Sequence, residues 1–282
     1  MYKIIHKQEL APKIKLFEVH APRVAAKAKP GQFVILRINE RGERFPITIA
    51  NTDTSQGTLR LVFNEVGKST RQLGTLEEGN DILNVVGPLG KPSEIEKFGR
   101  VMCFGGGVMV APLCFVASAL REAGNEIIGV VGARIKDLLI FKDELKAVSN
   151  EFYVTTDDGS EGYTGVDFIG EILSNQKIDR VVAMSTSEAT LKAISELTRP
   201  HGIKTIVSLS PIMVDGTGMC GCCRVSVGEE TKFTCVDGPE FDGHEVDWNL
   251  LFSRKRVYLP EERISALCCG ECKEETDEHK TT

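Results

Sequence analysis

The pattern of apolar residues changes near residue 100, and this change constrains the fold of the 282-residue chain more than any other feature. Before it, short segments rich in β-branched residues are bounded by Gly, Pro, Asn or Asp, without long helical stretches between them. That spacing predicts a small antiparallel barrel. From Val101 onward, apolar strands alternate with helices at 111–123, 142–148 and 188–197. This alternation predicts a parallel sheet covered on both faces.

We therefore expect a β barrel, then an α/β domain, then a cysteine-rich C-terminal segment. The expected bounds are 1–97 for the barrel, 98–211 for the α/β domain, 212–250 for the cysteine-rich segment and 251–282 for a cysteine-containing tail. The length suits two compact domains, because single hydrophobic cores stop growing near roughly 250–300 residues.

Charge and hydropathy exclude several classes of function. The formal net charge is −6 and no block of Lys or Arg is present, so we expect no binding to nucleic acid or to anionic membranes. The N-terminal segment lacks the apolar core and cleavage site of a signal peptide, and no apolar run approaches the roughly 20 residues of a membrane span. These features predict a cytoplasmic protein.

Seven of the nine cysteines fall between Cys220 and Cys272. A reducing compartment argues against disulfides, so this crowding indicates metal chemistry. Asp215, Cys220, Cys223 and Cys235 are separated by four, two and eleven residues. With the aspartate in the place of the first thiolate, this is the C-x4-C-x2-C…C spacing of plant-type [2Fe–2S] sites. A zinc site and a glycine-rich turn with free thiols are the alternatives.

Other cysteines and the aspartate carry smaller expectations. Cys222 lies between two expected ligands and is predicted to point away from the metal. A carboxylate is a harder ligand than a thiolate, so the reduction potential of such a cluster should be displaced. Cys268, Cys269 and Cys272 could hold a metal only with a ligand from elsewhere, and otherwise form a thiol-rich tail.

Two segments of the predicted barrel carry flavin-binding chemistry. Arg44-Phe45-Pro46-Ile47-Thr48 places a cation and a hydroxyl residue on a strand. Gly67-Lys68-Ser69-Thr70 then opens a helix predicted over 70–76, whose free N–H groups and positive end suit a pyrophosphate. A capped turn and an edge strand would account for the same residues.

A third motif opens the α/β domain. Gly105, Gly106 and Gly107 lead from a strand into a helix that contains Ala111 and Pro112, and Arg134 follows the next strand. Glycines at this position let the backbone approach a dinucleotide, and strand C-terminal ends bind ligands in open α/β sheets. Any tight strand-to-helix turn also favours glycine.

The order of these motifs resembles the ferredoxin–NADP reductase superfamily. The segments PIMVDGTGMCG and CVDGPEFDGHEVDW are similar to its electron-transfer subunit branch, which includes the dihydroorotate dehydrogenase electron-transfer subunit and the small subunit of NADH-dependent reduced ferredoxin:NADP oxidoreductase. The resemblance covers about residues 1–250.

The resemblance implies a site for each of three cofactors. FAD would contact Phe45, Pro46, Ile47, Thr48, Val62, Phe63, Asn64, Ser69 and Thr70, with Arg44, Gly67 and Lys68 beside them. NAD(H) or NADP(H) would contact Gly105, Gly106, Gly107, Ala111, Pro112 and Arg134. A [2Fe–2S] cluster would be held by Asp215, Cys220, Cys223 and Cys235. The implied partner is a larger subunit with a bifurcating flavin and [4Fe–4S] clusters, through which ferredoxin could be reached.

Two departures from the family pattern fall in the nucleotide pocket. Met109 stands where relatives have a glycine, and Glu188 lies in a turn that has lost the usual Gly and Pro. We expect both to weaken nucleotide binding. The alternative function is a relay and assembly subunit that exchanges electrons only with partner proteins, and a third hypothesis is a redox-sensing binding module.

Overall fold

The computed structural model describes residues 1–271, with side chains to residue 265. The N-terminal part is a nearly closed antiparallel barrel whose strands follow the order β6-β1-β2-β5-β4-β3-β7. The strands are β1 (Tyr2–Ala11), β2 (Ile14–His20), β3 (Phe33–Arg37), β4 (Phe45–Asp53), β5 (Thr58–Asn64), β6 (Asp81–Ile82) and β7 (Asn84–Leu89). Two short helices, α1 (Pro22–Ala25) and α2 (Lys68–Gly74), join them.

Inward-facing side chains fill the barrel because each strand alternates between its two faces. Phe17 on β2 and Phe63 on β5 meet edge to face, with ring centroids 5.0 Å apart. Leu59 and Leu61, also on β5, are fully buried in the same core.

The second sheet begins at residue 100, and its first six strands are parallel. They are β8 (Arg100–Gly106), β9 (Glu126–Ala133), β10 (Glu151–Thr156), β11 (Tyr163–Thr164), β12 (Arg180–Ser185) and β13 (Lys204–Ser208). The helices between them are α3 (Val110–Glu122), α4 (Lys142–Val148), α5 (Phe168–Asn175) and α6 (Glu188–Thr198). Helix α4 has the predicted bounds, whereas α2 begins two residues before the predicted start because Gly67 is its N-cap.

The C-terminal segment is not a separate lobe. It contains β14 (Arg224–Val227), β15 (Glu230–Phe233), α7 (Thr234–Asp237), β16 (Glu240–Asp242), α8 (Trp248–Lys255) and α9 (Leu259–Glu271). Strand β16 pairs antiparallel with β13, so the second sheet is mixed, in the order β11-β10-β9-β8-β12-β13-β16.

The predicted fold class is confirmed, with one added antiparallel edge strand. The predicted boundary at residue 97 falls between β7 and β8. Helices α8 and α9 occupy much of the region expected to be a tail, and Cys272 lies outside the described residues. Within residues 1–271, no helix is long and apolar enough to cross a membrane.

The segment between β7 and β8 binds the three parts of the chain together. The Lys91 N–H donates to the Gly238 carbonyl (2.6 Å), and the Ser93 hydroxyl donates to Glu240 Oε1 (2.5 Å). The Arg180 guanidinium pairs with Glu94 and lies 3.9 Å from the ring centroid of Phe98. Barrel, α/β sheet and cysteine segment are therefore held in one arrangement by polar contacts to this segment.

Glu240 is an unusual member of this junction. Part of the residue reaches the surface, but its carboxyl group is enclosed, since a Cβ atom on Gly31 would lie 2.9 Å from Oε1. Burial raises the pKa of this carboxyl from its ordinary 4.5 to about 7, against the opposing effects of the Ser93 hydrogen bond and of Arg180. Between pH 4.5 and about 7, the Glu240 carboxyl therefore keeps a proton in the folded protein that it loses in the unfolded chain.

We expect Glu240→Gln to remove a pH dependence from folding stability. Between pH 4.5 and 7 the native state binds the extra proton, so wild-type stability falls as pH rises through this range. The loss relative to the Gln variant should approach about 3 kcal/mol at pH 8. Urea unfolding of both proteins at pH 5 and pH 8 measures it. An equal pH dependence in the two proteins would contradict the assignment.

Candidate functional site

A cleft of about 700 Å³ opens between the barrel and the α/β sheet. Its volume lies in the range of small-molecule and cofactor sites. One wall comes from β4, β5 and α2, and the other from the C-terminal ends of β8, β9, β10, β12 and β13. Ligands of open α/β sheets bind at these strand ends.

Seven of the residues predicted to bind flavin line this cleft. They are Pro46, Ile47, Thr48, Val62, Phe63, Asn64 and Thr70. The five others, Arg44, Phe45, Gly67, Lys68 and Ser69, do not line it. Arg44 is exposed just before β4 and makes no hydrogen bond or ion pair within the described part of the chain.

Side chains form hydrogen bonds at the start of α2 but leave two of its backbone N–H groups without a partner in the helix. The Gly67 N–H donates to Thr70 Oγ1 (3.1 Å), and the Thr70 hydroxyl in turn lies 3.2 Å from the Gly67 carbonyl oxygen. The Ser69 hydroxyl donates to the Glu43 carboxylate. The N–H groups of Lys68 and Ser69, in the first turn, have no partner inside a helix. This helix start therefore keeps backbone donors for an anion.

The glycine turn after β8 lies opposite the barrel. Gly106, Gly107, Pro112 and Arg134 line the cleft, whereas Gly105 and Ala111 do not. A Cβ atom on Gly105 would lie 2.8 Å from the Val110 Cα, so this position requires glycine for packing. Gly107 has φ +60°, a backbone conformation that favours glycine.

The sequence did not reveal a row of hydroxyl groups in the cleft. Ser185 ends β12, Thr186 and Ser187 follow it, and all three line the cleft together with Thr190 on α6. Ser187 Oγ accepts from the Thr190 N–H (3.3 Å) and caps the helix. The run of hydroxyl residues at the end of a buried strand was the sequence signal for this feature. Only the Gly and Pro that are missing from the same turn were interpreted from the sequence.

Met109 lies at the border between the two halves of the cleft. Its side chain is buried, and its sulfur is 4.0 Å from Thr48 Oγ1 on the barrel. A group that passes from the glycine turn to the barrel wall therefore meets this thioether.

The expectation that Glu188 places a negative charge near the nucleotide is wrong. Glu188 is buried, does not line the cleft, and forms an ion pair with Lys255 at the end of α8. The partner is 67 residues away in sequence, so the local pattern gave no sign of it.

The cysteine loop begins with an aspartate that is held by the backbone. Asp215 Oδ1 accepts from the Thr217 N–H (2.7 Å), and Oδ2 accepts from the Cys220 N–H (2.8 Å). These two hydrogen bonds, that from Thr217 first, hold the pKa of Asp215 below its usual value despite some desolvation. A carboxylate has lone pairs left after accepting two such bonds, so Asp215 stays available as an ionised ligand.

The thiols form two pairs. Cys223 and Cys235 are buried with their sulfurs 3.2 Å apart, and burial together with the Cys223 contact raises the pKa of Cys235 to about 12. Cys220 is exposed and Cys222 is partly buried, and desolvation together with the neighbouring Cys220 raises the pKa of Cys222. Among residues 1–265, whose side chains the structure describes, no three His, Cys, Asp or Glu side chains form a preformed metal site.

The loop nevertheless has the shape of a cradle. Gly216 and Gly218 have φ +76° and +88°, and a Cβ atom on Gly216 would lie 2.6 Å from Ile35 Cγ1 on β3. The Thr234 hydroxyl is buried beside Cys235 without a hydrogen-bond partner among the described residues. These residues fit a compact group that contains sulfur. Without such a group, the described residues leave the Thr234 hydroxyl unpaired.

Comparison with known proteins identifies the family. Residues 210–247 match the family model of the iron-sulfur cluster binding domain of dihydroorotate dehydrogenase B. The chain is 48% identical over 265 residues to the dihydroorotate dehydrogenase B (NAD(+)), electron transfer subunit homolog of Thermotoga maritima, covering 93% of each. The chain belongs to the family of dihydroorotate dehydrogenase B electron transfer subunits.

Further relatives agree with this assignment. The electron transfer subunit of Streptococcus pneumoniae is 33% identical over 248 residues, which cover 85% of this chain and 94% of the relative. A solved chain of NADH-dependent reduced ferredoxin-NADP oxidoreductase, described in a study of flavin-based electron bifurcation, superposes with a TM-score of 0.89 at 47% identity and covers 94% and 96%. Phthalate dioxygenase reductase shares the fold, with a TM-score of 0.58 at 18% identity over 80% and 85%.

As a member of this family, the chain is an electron transfer subunit of an oxidoreductase complex. The resemblance stated from the sequence is confirmed, as is the expected iron–sulfur character of the cysteine segment. The individual ligands and contact residues stay predictions.

We expect Cys223→Ser to abolish the [2Fe–2S] absorbance and EPR signal but to retain FAD, because the thiol pair and the barrel wall lie in different segments. Cys222→Ser is the matched control and should keep the EPR signal. Iron, sulfide and flavin analyses of both purified variants measure these effects. Loss of the cluster from Cys222→Ser would overturn the ligand assignment.

Proposed function

We propose that this subunit takes electrons from a nicotinamide nucleotide through FAD to a [2Fe–2S] cluster, and passes them to a larger partner subunit. One observation carries the proposal. Phe33 lines the cleft and belongs to the same packed cluster as Cys223 and Cys235, so this side chain borders both the cleft and the thiols. Met213, partly buried, borders the same two sites.

The proposal assigns a role to each domain. Residues 1–97 form the FAD-binding barrel, 98–211 the nucleotide-binding domain, 212–250 the cluster segment, and 251–282 the C-terminal extension. When bound, FAD accepts two electrons as a hydride and releases them singly, which a nicotinamide does not do. The barrel wall around Thr48 and Asn64 orients the ring, and the α2 N-terminus with Lys68 and Arg44 supplies positive charge for the pyrophosphate.

The nucleotide side has its own anion site. The backbone at Gly106 and Gly107 lets a dinucleotide approach the start of α3, and Arg134 stands at the end of β9. The hydroxyl row at 185–187 supplies hydrogen bonds in place of the Gly-Pro turn that relatives carry. These groups position a bound nucleotide toward Thr48 and exclude water from the contact.

The cluster ligands are Asp215, Cys220, Cys223 and Cys235. A [2Fe–2S] centre stores one electron at a time, and its potential responds to ligand type, hydrogen bonds and exposure. Binding requires the thiols to lose their protons, which metal coordination drives against the raised pKa of Cys235. Such thiols survive in a reducing compartment, in keeping with a cytoplasmic location.

The partner subunit would dock beside the cysteine loop. Val214 and Val236 are exposed there, and Met219 is 89% exposed. Exposed apolar side chains of this kind are common at protein interfaces. A larger subunit with flavin and [4Fe–4S] clusters, seated here, would receive electrons at the shortest distance from the thiols.

A second function, a relay subunit that exchanges electrons only with proteins, is favoured by the position of Met109 in the cleft. Anaerobic mixing of the purified chain with NADH distinguishes the two. The proposal predicts bleaching of the FAD absorbance at a catalytically useful rate. A flavin that stays oxidised in the presence of NADH, yet is reduced by the partner subunit, would establish the relay instead.

We expect Thr70→Glu to release FAD. The added charge stands in the first turn of α2, where it favours the helix but repels a pyrophosphate, and it should weaken FAD binding by about tenfold. Thr70→Gln is the matched neutral control and should retain FAD. Flavin-to-protein ratios after gel filtration measure the difference. Full FAD occupancy in Thr70→Glu would place the pyrophosphate elsewhere.

We expect Met109→Gly to strengthen nucleotide binding. Crowding by a side chain in a packed site costs about 1–3 kcal/mol, so NADH affinity should rise roughly fivefold to a hundredfold. Glycine is tolerated because residue 109 is the N-cap of α3. Calorimetric titration with NADH and NADPH measures the change.

Two controls make the Met109 result specific. Met109→Leu retains the volume and should bind NADH no better than wild type. Glu188→Gln should also leave affinity near wild type, because Lys255 already neutralises that carboxylate outside the cleft. Equal affinities in wild type and Met109→Gly would show that the thioether does not obstruct the nucleotide.

A further inference from the structure

The Thr234 hydroxyl is a buried polar group without a partner. The residue is completely buried, and Oγ1 has no hydrogen-bond partner among the described residues. Buried hydroxyls are almost always paired, because an unpaired one loses its bonds to water without replacement. The protein part of the site thus leaves a donor unsatisfied.

The surroundings of Thr234 limit what could accept this bond. Its own N–H donates to the Cys223 carbonyl (3.1 Å), and the next residue is Cys235, whose N–H lies 3.4 Å from Cys223 Sγ. These two thiols belong to an apolar cluster that includes Phe33 and Ile35. Sulfur is an acceptor that these contacts place in the neighbourhood of Thr234.

We propose that the Thr234 hydroxyl donates a hydrogen bond to a sulfur atom of the bound [2Fe–2S] centre and thereby raises its reduction potential. The inference rests on the proposed ligand set. Reduction adds a negative charge to the centre, and a donor stabilises the more negative state more strongly. Thr234 thus adjusts the reduction potential through a hydrogen bond and does not coordinate iron.

The test is Thr234→Val in the full-length, cofactor-loaded chain, because valine keeps the shape of threonine and removes the hydroxyl. The equilibrium constant for one-electron reduction should fall about tenfold, which is ~59 mV for a one-electron couple. A redox titration followed by EPR measures this. The shift of the Fe–S stretching bands on transfer to D₂O, seen by resonance Raman, should also decrease.

Two controls separate the hydroxyl from the fold. Thr234→Ser keeps a donor and should retain a potential near wild type. Thr205→Val removes another fully buried hydroxyl, from a residue on β13. This hydroxyl lies 2.6 Å from Thr198 Oγ1 and 3.0 Å from the Ile203 carbonyl oxygen. It should leave the potential unchanged. If Thr234→Val fails to hold a cluster, Thr234→Ala against Thr234→Ser makes the same comparison.

Each outcome is decisive. A loaded Thr234→Val protein with the wild-type potential and the wild-type D₂O shift would overturn the inference while leaving the ligand set intact. A wild-type chain without iron and sulfide in equal amounts would overturn the ligand set, and the inference with it. A lowered potential in Thr234→Val that Thr234→Ser does not share would support the inference.

Discussion

The contact between the cysteine loop and strand β3 determines what this subunit can do. Gly216 approaches Ile35 so closely that a side chain at 216 would not fit, and Phe33 and Met213 border both the buried thiols and the cleft. A loop that packed elsewhere on the barrel would leave the same ligands too far from the flavin wall. The proposed path for electrons therefore depends on apolar packing between two segments almost 200 residues apart in sequence.

The junction around residues 90–99 maintains that contact. Lys91 bonds the backbone at Gly238, while Ser93 and Glu94 reach Glu240 and Arg180 on the sheet. These bonds join the barrel to the cluster segment at residues 238–240 and to the α/β sheet at Arg180 through a short stretch of chain. The buried Glu240 carboxyl, whose pKa is about 7, makes the stability of the junction depend on pH, because ionisation of this carboxyl opposes folding. The same contacts leave the cleft open at the strand ends.

The sequence predicted the features that depend on local pattern. The change of periodicity near residue 100 located both sheets, and the spacing from Asp215 to Cys235 identified the iron–sulfur segment that the family match confirms. What the sequence could not give are pairings between distant residues. Glu188 was assigned to the nucleotide pocket because its local sequence does not indicate the ion pair with Lys255. Strand β16 was not predicted, because its partner β13 lies in the part of the sequence assigned to another domain.

The central claim is that electrons travel from nucleotide to flavin to cluster inside one chain. Rapid freeze-quench EPR of the isolated, cofactor-loaded subunit after anaerobic mixing with NADH tests it most directly. Because Phe33 and Met213 border both the cleft and the thiols, the signal of the reduced [2Fe–2S] centre should follow flavin reduction at a rate independent of protein concentration. A cluster signal whose rate rises in proportion to protein concentration would show that electrons pass between molecules, and would contradict the account.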